Sequence, residues 1–144
     1  MRRAEGPEWT APRALTKLLE RLVRSELSSR DALAYLLRKG CPQELAEAAL
    51  QSCRERHFVD DQRLTGLLAD KAQRVGWSRK RLRQEEFKRG LPESGQLDES
   101  QSCGQLAERW LARGIPPEKV AARLQNRGFS YGLIRNILAE KLPE

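Results

Sequence analysis

Cys53 and His57 are the pair in this chain whose types and spacing best suit covalent chemistry. Four residues apart on a helix, a thiol and an imidazole touch, and a thiolate beside an imidazolium is a nucleophile. A working site also needs a group that orients the imidazole and donors for an oxyanion. Nothing nearby in the sequence supplies either. Cys41, Cys53 and Cys103 form no CxxC pair, and His57 is the sole histidine, so zinc-ligand spacing is missing. They read as three reduced thiols of a cytoplasmic protein. Asp60 and Asp61 offer adjacent carboxylates, but a hard cation needs more oxygen ligands than two neighbours provide. An N-cap and a helix-dipole partner suit them better. No GxxxxGK-Ser/Thr phosphate loop occurs. The expectation is a non-enzyme with no catalytic residue, no metal and no cofactor.

Binding chemistry is better represented. The 144 residues include 27 bases and 20 acids, a net charge of +7. The stretch 71–90 holds eight bases (Lys71, Arg74, Arg79, Lys80, Arg81, Arg83, Lys88, Arg89) against Glu85 and Glu86, and so carries nearly all of the excess. Charge concentrated in this way suits a polyanion or an acidic protein surface. Two readings stay open for 78–89: a contact to such a partner, or a solvated helix face. Trp77, beside it, either packs in the core or stacks on a base or a partner. Tyr131 and Arg135, four apart, form a second candidate contact patch. Trp110 falls in an apolar stripe, and Phe129 is placed to staple two helices. Lys39, Arg89 and Arg127 each precede a glycine, where the helix dipole favours a cation by about 0.3–1 kcal/mol.

The elements that would position these groups are helices. Leu, Ala, Arg and Glu dominate, and runs of Val and Ile are missing. No apolar run approaches the length of a membrane span, and the N-terminus lacks a signal peptide's apolar stretch. Three stretches align on their glycines: 28–50, 78–97 and 116–138. Ser28, Ser78 and Pro116 start them. Ala32, Leu82 and Val120 stand eight before the glycine, and Leu36, Glu86 and Leu124 four before it. Gly40, Gly90 and Gly128 stop them. A further helix precedes each: 12–27, then one opened by Asp60 or Asp61 with Leu64, Leu67, Leu68 and Ala72 as its apolar face, then one opened by a Ser102–Gln105 capping box.

The fold expected is all-α: three tandem three-helix repeats forming an elongated, curved helical array. Residues 1–11 are a flexible N-terminus, 12–57 repeat 1, 58–101 repeat 2 and 102–144 repeat 3. The third helix of repeat 2 is weak, because 91–104 is rich in Gly, Ser and Glu, which leaves a short helix near 93–100 or a flexible joint. Glu86 stands where the sister repeats have Leu36 and Leu124. Phe87 is expected to take over that packing, or else the middle repeat is loosely built.

This arrangement resembles the RecX family of recombinase regulators, from about Leu15 to Leu138. The resemblance rests on "SSRDALAYLLRKG" (28–40), "FVDDQRL" (58–64), "GWSRKRLRQE" (76–85) and "LQNRGFSYGLIRNIL" (124–138). It implies a regulator that binds the bacterial RecA recombinase along the groove of its filament on DNA. Such a protein restrains ATP hydrolysis, strand exchange and co-protease activity in recombination, repair and the SOS response, and touches DNA weakly and without sequence preference. The contact residues expected are Arg79, Lys80, Arg81, Arg83, Lys88, Arg89, Trp77, Tyr131 and Arg135, in a cytoplasmic monomer. The alternative is a basic helical DNA-binding module with no specific protein partner.

Overall fold

Side chains that accept amide protons set most of the helix starts, and left-handed residues set most of the stops. A computed structural model describes residues 8–142. The helices are α1 (Ala11–Leu22), α2 (Ser29–Arg38), α3 (Gln43–Glu55), α4 (Asp61–Val75), α5 (Arg79–Lys88), α6 (Glu99–Ala112), α7 (Pro117–Asn126) and α8 (Tyr131–Lys141). The protein is all-helical, with no strand among the described residues. Thr10, Ser28, Ser78, Asp98 and Ser130 each accept the N–H three residues on. Asp60 does the same for Arg63 at 3.0 Å, and that bond holds its carboxyl below the usual range. Asp61 reaches elsewhere: its carboxylate accepts the Ser29 N–H at 2.7 Å, at the start of α2.

Left-handed residues follow α2, α3, α5 and α7: Gly40, His57, Gly90 and Gly128. The next residue then donates back into the last turn: Cys41 to the Leu36 carbonyl, Phe58 to Cys53, Leu91 to Glu86 and Phe129 to Leu124. This pattern satisfies carbonyls that the helix would otherwise leave orphaned.

The chain divides into two compact units, one up to Leu64 and one from Thr65. In the first, α1, α2 and α3 pack on one another around Ala14, Leu18, Ala32, Leu36 and Ala46. In the second, α6, α7 and α8 enclose Leu106, Trp110, Val120, Leu124, Ile134 and Ile137. Gln73 of α4 joins the second unit at the start of α6. Its amide donates to the Asp98 carbonyl at 3.1 Å and to Ser102 Oγ at 3.2 Å, and accepts the Asp98 N–H at 2.8 Å. No helix among the described residues is long and apolar enough to cross a membrane.

Several expectations need correction. Residues 1–7 of the N-terminal segment lie outside the described residues, but 8–11 take part in the first unit. Thr10 caps α1, Trp9 packs against the core, and Arg13 lies over the Trp9 ring at 4.4 Å. The Ser102–Gln105 capping box does not form. Asp98 caps α6, and Ser102 is buried one turn inside it, because Asp98 and Glu99 already satisfy the first-turn preference for acids. Leu67 is exposed on α4, and Ala69 faces inward instead. Cys53 and His57 do not come together as helical neighbours. α3 ends at Glu55 and His57 turns left-handed (φ 62°), so the thiol is buried and the imidazole exposed. Burial pushes the Cys53 thiol up, further from the reactive thiolate. Residues 91–98 contain no helix, while Leu91 and Leu97 within them are buried.

Candidate polyanion-binding surface

Helix α5 carries most of the basic residues singled out above, and the structure commits many of them to internal work. Ser78 caps it, with its hydroxyl accepting the Arg81 N–H at 3.1 Å. The Arg79 guanidinium donates to the Leu97 carbonyl at 2.8 Å, and its backbone N–H to Glu99 at 3.0 Å. Arg79 therefore pins the 91–98 segment against the start of α6. Arg83 pairs with Glu93. Arg81 (3.1 Å), Lys88 (3.3 Å) and Arg89 (2.7 Å) all converge on Glu85. Lys80 has no hydrogen bond or ion pair among the described residues, and is exposed.

Glu85 is thus the counter-ion of three cations. Arg89 is the main cause that draws its carboxyl down to about 2, helped by Arg81 and Lys88 and opposed by burial. Its free-chain value of 4.5 is higher, so the sign follows. The stabilisation is full above about pH 4.5 and is lost as pH falls through about 2. Glu85→Gln should cost about 1 kcal/mol at neutral pH, a modest figure because the three cations are largely solvated. Unfolding followed against pH should show the wild type and Glu85→Gln converging as acid is added. Curves that stay parallel down to the folded-state value would refute the clamp.

Glu86 gives the clearest departure from expectation. Phe87 does not take over its packing: Phe87 is 81% exposed, whereas Glu86 is 2% exposed. One Glu86 oxygen accepts the Ser94 N–H at 3.1 Å, and the other, Oε1, has no hydrogen-bond partner. The carboxylate stands four residues before Gly90, as Leu36 and Leu124 stand before Gly40 and Gly128, and here a loop follows the helix. Loop amides lack partners of their own, and Glu86 supplies one acceptor.

Trp77 is 8% exposed, with Arg81 lying over its ring at 4.6 Å and Lys71 at 5.7 Å. It packs as a wall and does not present a stacking face. Tyr131 is exposed at the start of α8, and Arg135 stacks over it at 5.7 Å, so this pair does form one surface. Lys39, Arg89 and Arg127 are C-cap residues of α2, α5 and α7. Arg89 also donates to the last-turn carbonyl of Glu85 at 2.9 Å, while Arg127 lies over Trp110 at 5.2 Å.

A groove of about 580 Å³ lies between α5 and the end of α7. Trp77, Lys80, Arg81 and Gln84 line one side, and Gln125, Asn126 and Arg127 the other. The two helices meet where the Ser78 hydroxyl donates to the Arg127 carbonyl at 2.7 Å. Gly128 permits this approach. Its φ is +100°, and a Cβ there would stand 2.7 Å from Ser78 Oγ. The sequence reads Gly128 as a helix stop only, and does not single out Gln84, Gln125 and Asn126. No local signal distinguishes a stop glycine from one against which another chain segment rests. The first unit holds a smaller mixed surface in which Arg21 (6.0 Å) and Lys39 (5.6 Å) lie over Tyr35. Among the described residues no cluster of three or more His, Cys, Asp or Glu side chains is placed to hold a metal ion.

No family model and no curated sequence relative matches the chain. Its fold does match solved structures. The crystal structure of RecX from Lactobacillus salivarius superposes with a TM-score of 0.74 at 14% identity, covering 90% of this chain and 95% of that one. A second crystal structure, of regulatory protein RecX, superposes with a TM-score of 0.71 at 20% identity, covering 90% of this chain and 73% of that one. At these identities the likeness establishes a shared fold.

Proposed function

We propose that this chain is a RecX-type regulator of the RecA recombinase. The observation that carries the reading is the fold match to two RecX structures across 90% of the chain. The resemblance of "FVDDQRL" and "LQNRGFSYGLIRNIL" to that family adds support from outside the superposition. The protein binds RecA in the groove of its filament on DNA and bridges neighbouring subunits. It acts by hindering the movements that hydrolysis and extension require, and catalyses nothing itself. The contact surface includes Lys80 and Arg81 at the α5–α7 groove, with Lys88, Arg89 and the exposed Tyr131–Arg135 pair further out. Arg79 and Arg83 serve the surface mainly by holding the 91–98 loop, through Leu97 and Glu93.

The test is RecA-dependent ATP hydrolysis on single-stranded DNA, titrated with this protein. Hydrolysis should fall with added protein, and Lys80→Glu should weaken the effect several-fold without loss of helix content. Lys80 suits this role because it has no structural bond to lose. Unchanged hydrolysis at saturating protein, together with no RecA recovered in a pull-down, defeats the reading. Tight duplex binding in that case would identify a DNA-binding module without a protein partner.

A further inference from the structure

We infer that α4 is a hinge, yielding at Thr65–Gly66 so that its first turns move with the first unit and its remainder with the second. The inference does not depend on the proposed function. α4 runs through the boundary between the two compact units, which falls between Leu64 and Thr65. Each end of the helix is fastened, and to a different unit. At the start, Asp61 accepts the Ser29 N–H at 2.7 Å. The Arg63 guanidinium donates to Glu26 at 3.0 Å and to the His57 carbonyl at 3.0 Å. All of these partners belong to the first unit. Towards the end, Leu68, Ala69 and Ala72 are buried, and Gln73 exchanges hydrogen bonds with Asp98 of the second unit.

Between these fastenings the helix has little lateral support. Leu64, Thr65 and Gly66 are half-buried, Leu67 is exposed, and the first buried residue of α4 is Leu68. Gly66 has no packing reason to be glycine. Its φ is not left-handed, and a Cβ there would meet no atom within 4 Å. Gly104 of α6 shows the contrast. It is buried, and a Cβ there would meet Ile137 at 3.8 Å and Lys141 at 3.9 Å, so its small size seats α8. Glycine is the weakest former of helix interiors after proline, and β-branched Thr65 beside it adds little. Glycine is also among the few causes of sharp helix bends. The weakest point of α4 therefore coincides with the unit boundary and with the stretch that tertiary packing leaves unsupported. Hinges of this kind are a few residues that absorb a backbone change while the packed parts on either side move whole.

The experiment is nuclear magnetic resonance on the full chain alone, comparing wild type with Gly66→Ala and Gly132→Ala. Alanine fits both sites, since neither would-be Cβ meets an atom within 4 Å. Amide hydrogen exchange is the first readout. The amides of residues 67–70 donate across the hinge to carbonyls four residues back. They should exchange faster than those of 71–75, although a straight helix is best protected in its middle and frays at its ends. Gly66→Ala should slow exchange at 67–70 by about fivefold, the gain of alanine over glycine in a helix interior. Gly132→Ala should leave those amides as they were. Residual dipolar couplings are the second readout. In the wild type the two units should require alignment tensors of unequal magnitude, and in Gly66→Ala the two magnitudes should converge. The hinge is overturned if one tensor fits the whole wild-type chain. It is equally overturned if 67–70 exchange no faster than 71–75, or if Gly66→Ala slows exchange uniformly through both units.

Discussion

Gly128→Ala is expected to destabilise the second unit by about 3 kcal/mol, lowering the unfolding midpoint by roughly 10 °C. Two costs add. A non-glycine residue in the left-handed region costs about 1–2 kcal/mol, and φ at this position is +100°. The added methyl would also stand 2.7 Å from Ser78 Oγ. That oxygen is fixed on both sides, by the Arg81 N–H it accepts and the Arg127 carbonyl it bonds. Moving it breaks the α5 N-cap, worth about 1 kcal/mol, and strips a carbonyl of its donor. Gly132→Ala is the matched control. Gly132 lies in α8 with no atom near its would-be Cβ and no positive φ, so alanine there should stabilise by up to about 1 kcal/mol. Thermal unfolding of the full chain, followed by tryptophan fluorescence, reads both, since Trp77 and Trp110 belong to this unit. Two variants with the same midpoint would sink the close-approach argument.

The fold was legible because its signals are local. Serines at 28 and 78 cap helices where the pattern placed them, and glycines at 40, 90 and 128 end them. Leu36, Val120 and Leu124 are fully buried, as their spacing implied. What failed depended on non-local partners. Ser102 reads as a cap from its own neighbourhood, and only Gln73, 29 residues away, reveals it as a buried acceptor. The charge of α5 looked like a free surface, but Glu85, Glu93 and the Leu97 carbonyl absorb much of it. The groove was least legible, since its two walls are about forty residues apart and join through one serine hydroxyl and one glycine. Glu85 and Glu86, an apparent interruption of a basic run, have distinct tasks: one holds three cations, the other a loop amide.

Exchanging the residue types at Leu36 and Glu86, each four residues before a glycine that ends a helix, should have opposite consequences in the two units. Leu36→Glu is expected to unfold the first unit, at a cost of about 5 kcal/mol or more. Leu36 is fully buried among apolar side chains. The segment after it is short, and Pro42 has no amide proton to offer a carboxylate. A charge there would be unpaired, and the leucine's burial energy would be lost as well. Glu86→Leu is the reverse exchange, and should raise stability by about 1 kcal/mol. Burying the leucine contributes roughly 2 kcal/mol, and the carboxylate oxygen without a partner disappears. Against this, the Ser94 N–H loses its acceptor, at about 1 kcal/mol. Circular dichroism should show helix lost in Leu36→Glu. Chemical denaturation should show a right-shifted midpoint in Glu86→Leu, and hydrogen exchange a faster Ser94 amide. A stable Leu36→Glu protein would mean that the position tolerates charge by itself. A destabilised Glu86→Leu protein would mean that the loop amide contributes more than leucine burial. Only the predicted pair of outcomes assigns the glutamate to the 91–98 loop, as the acceptor that its Ser94 amide requires.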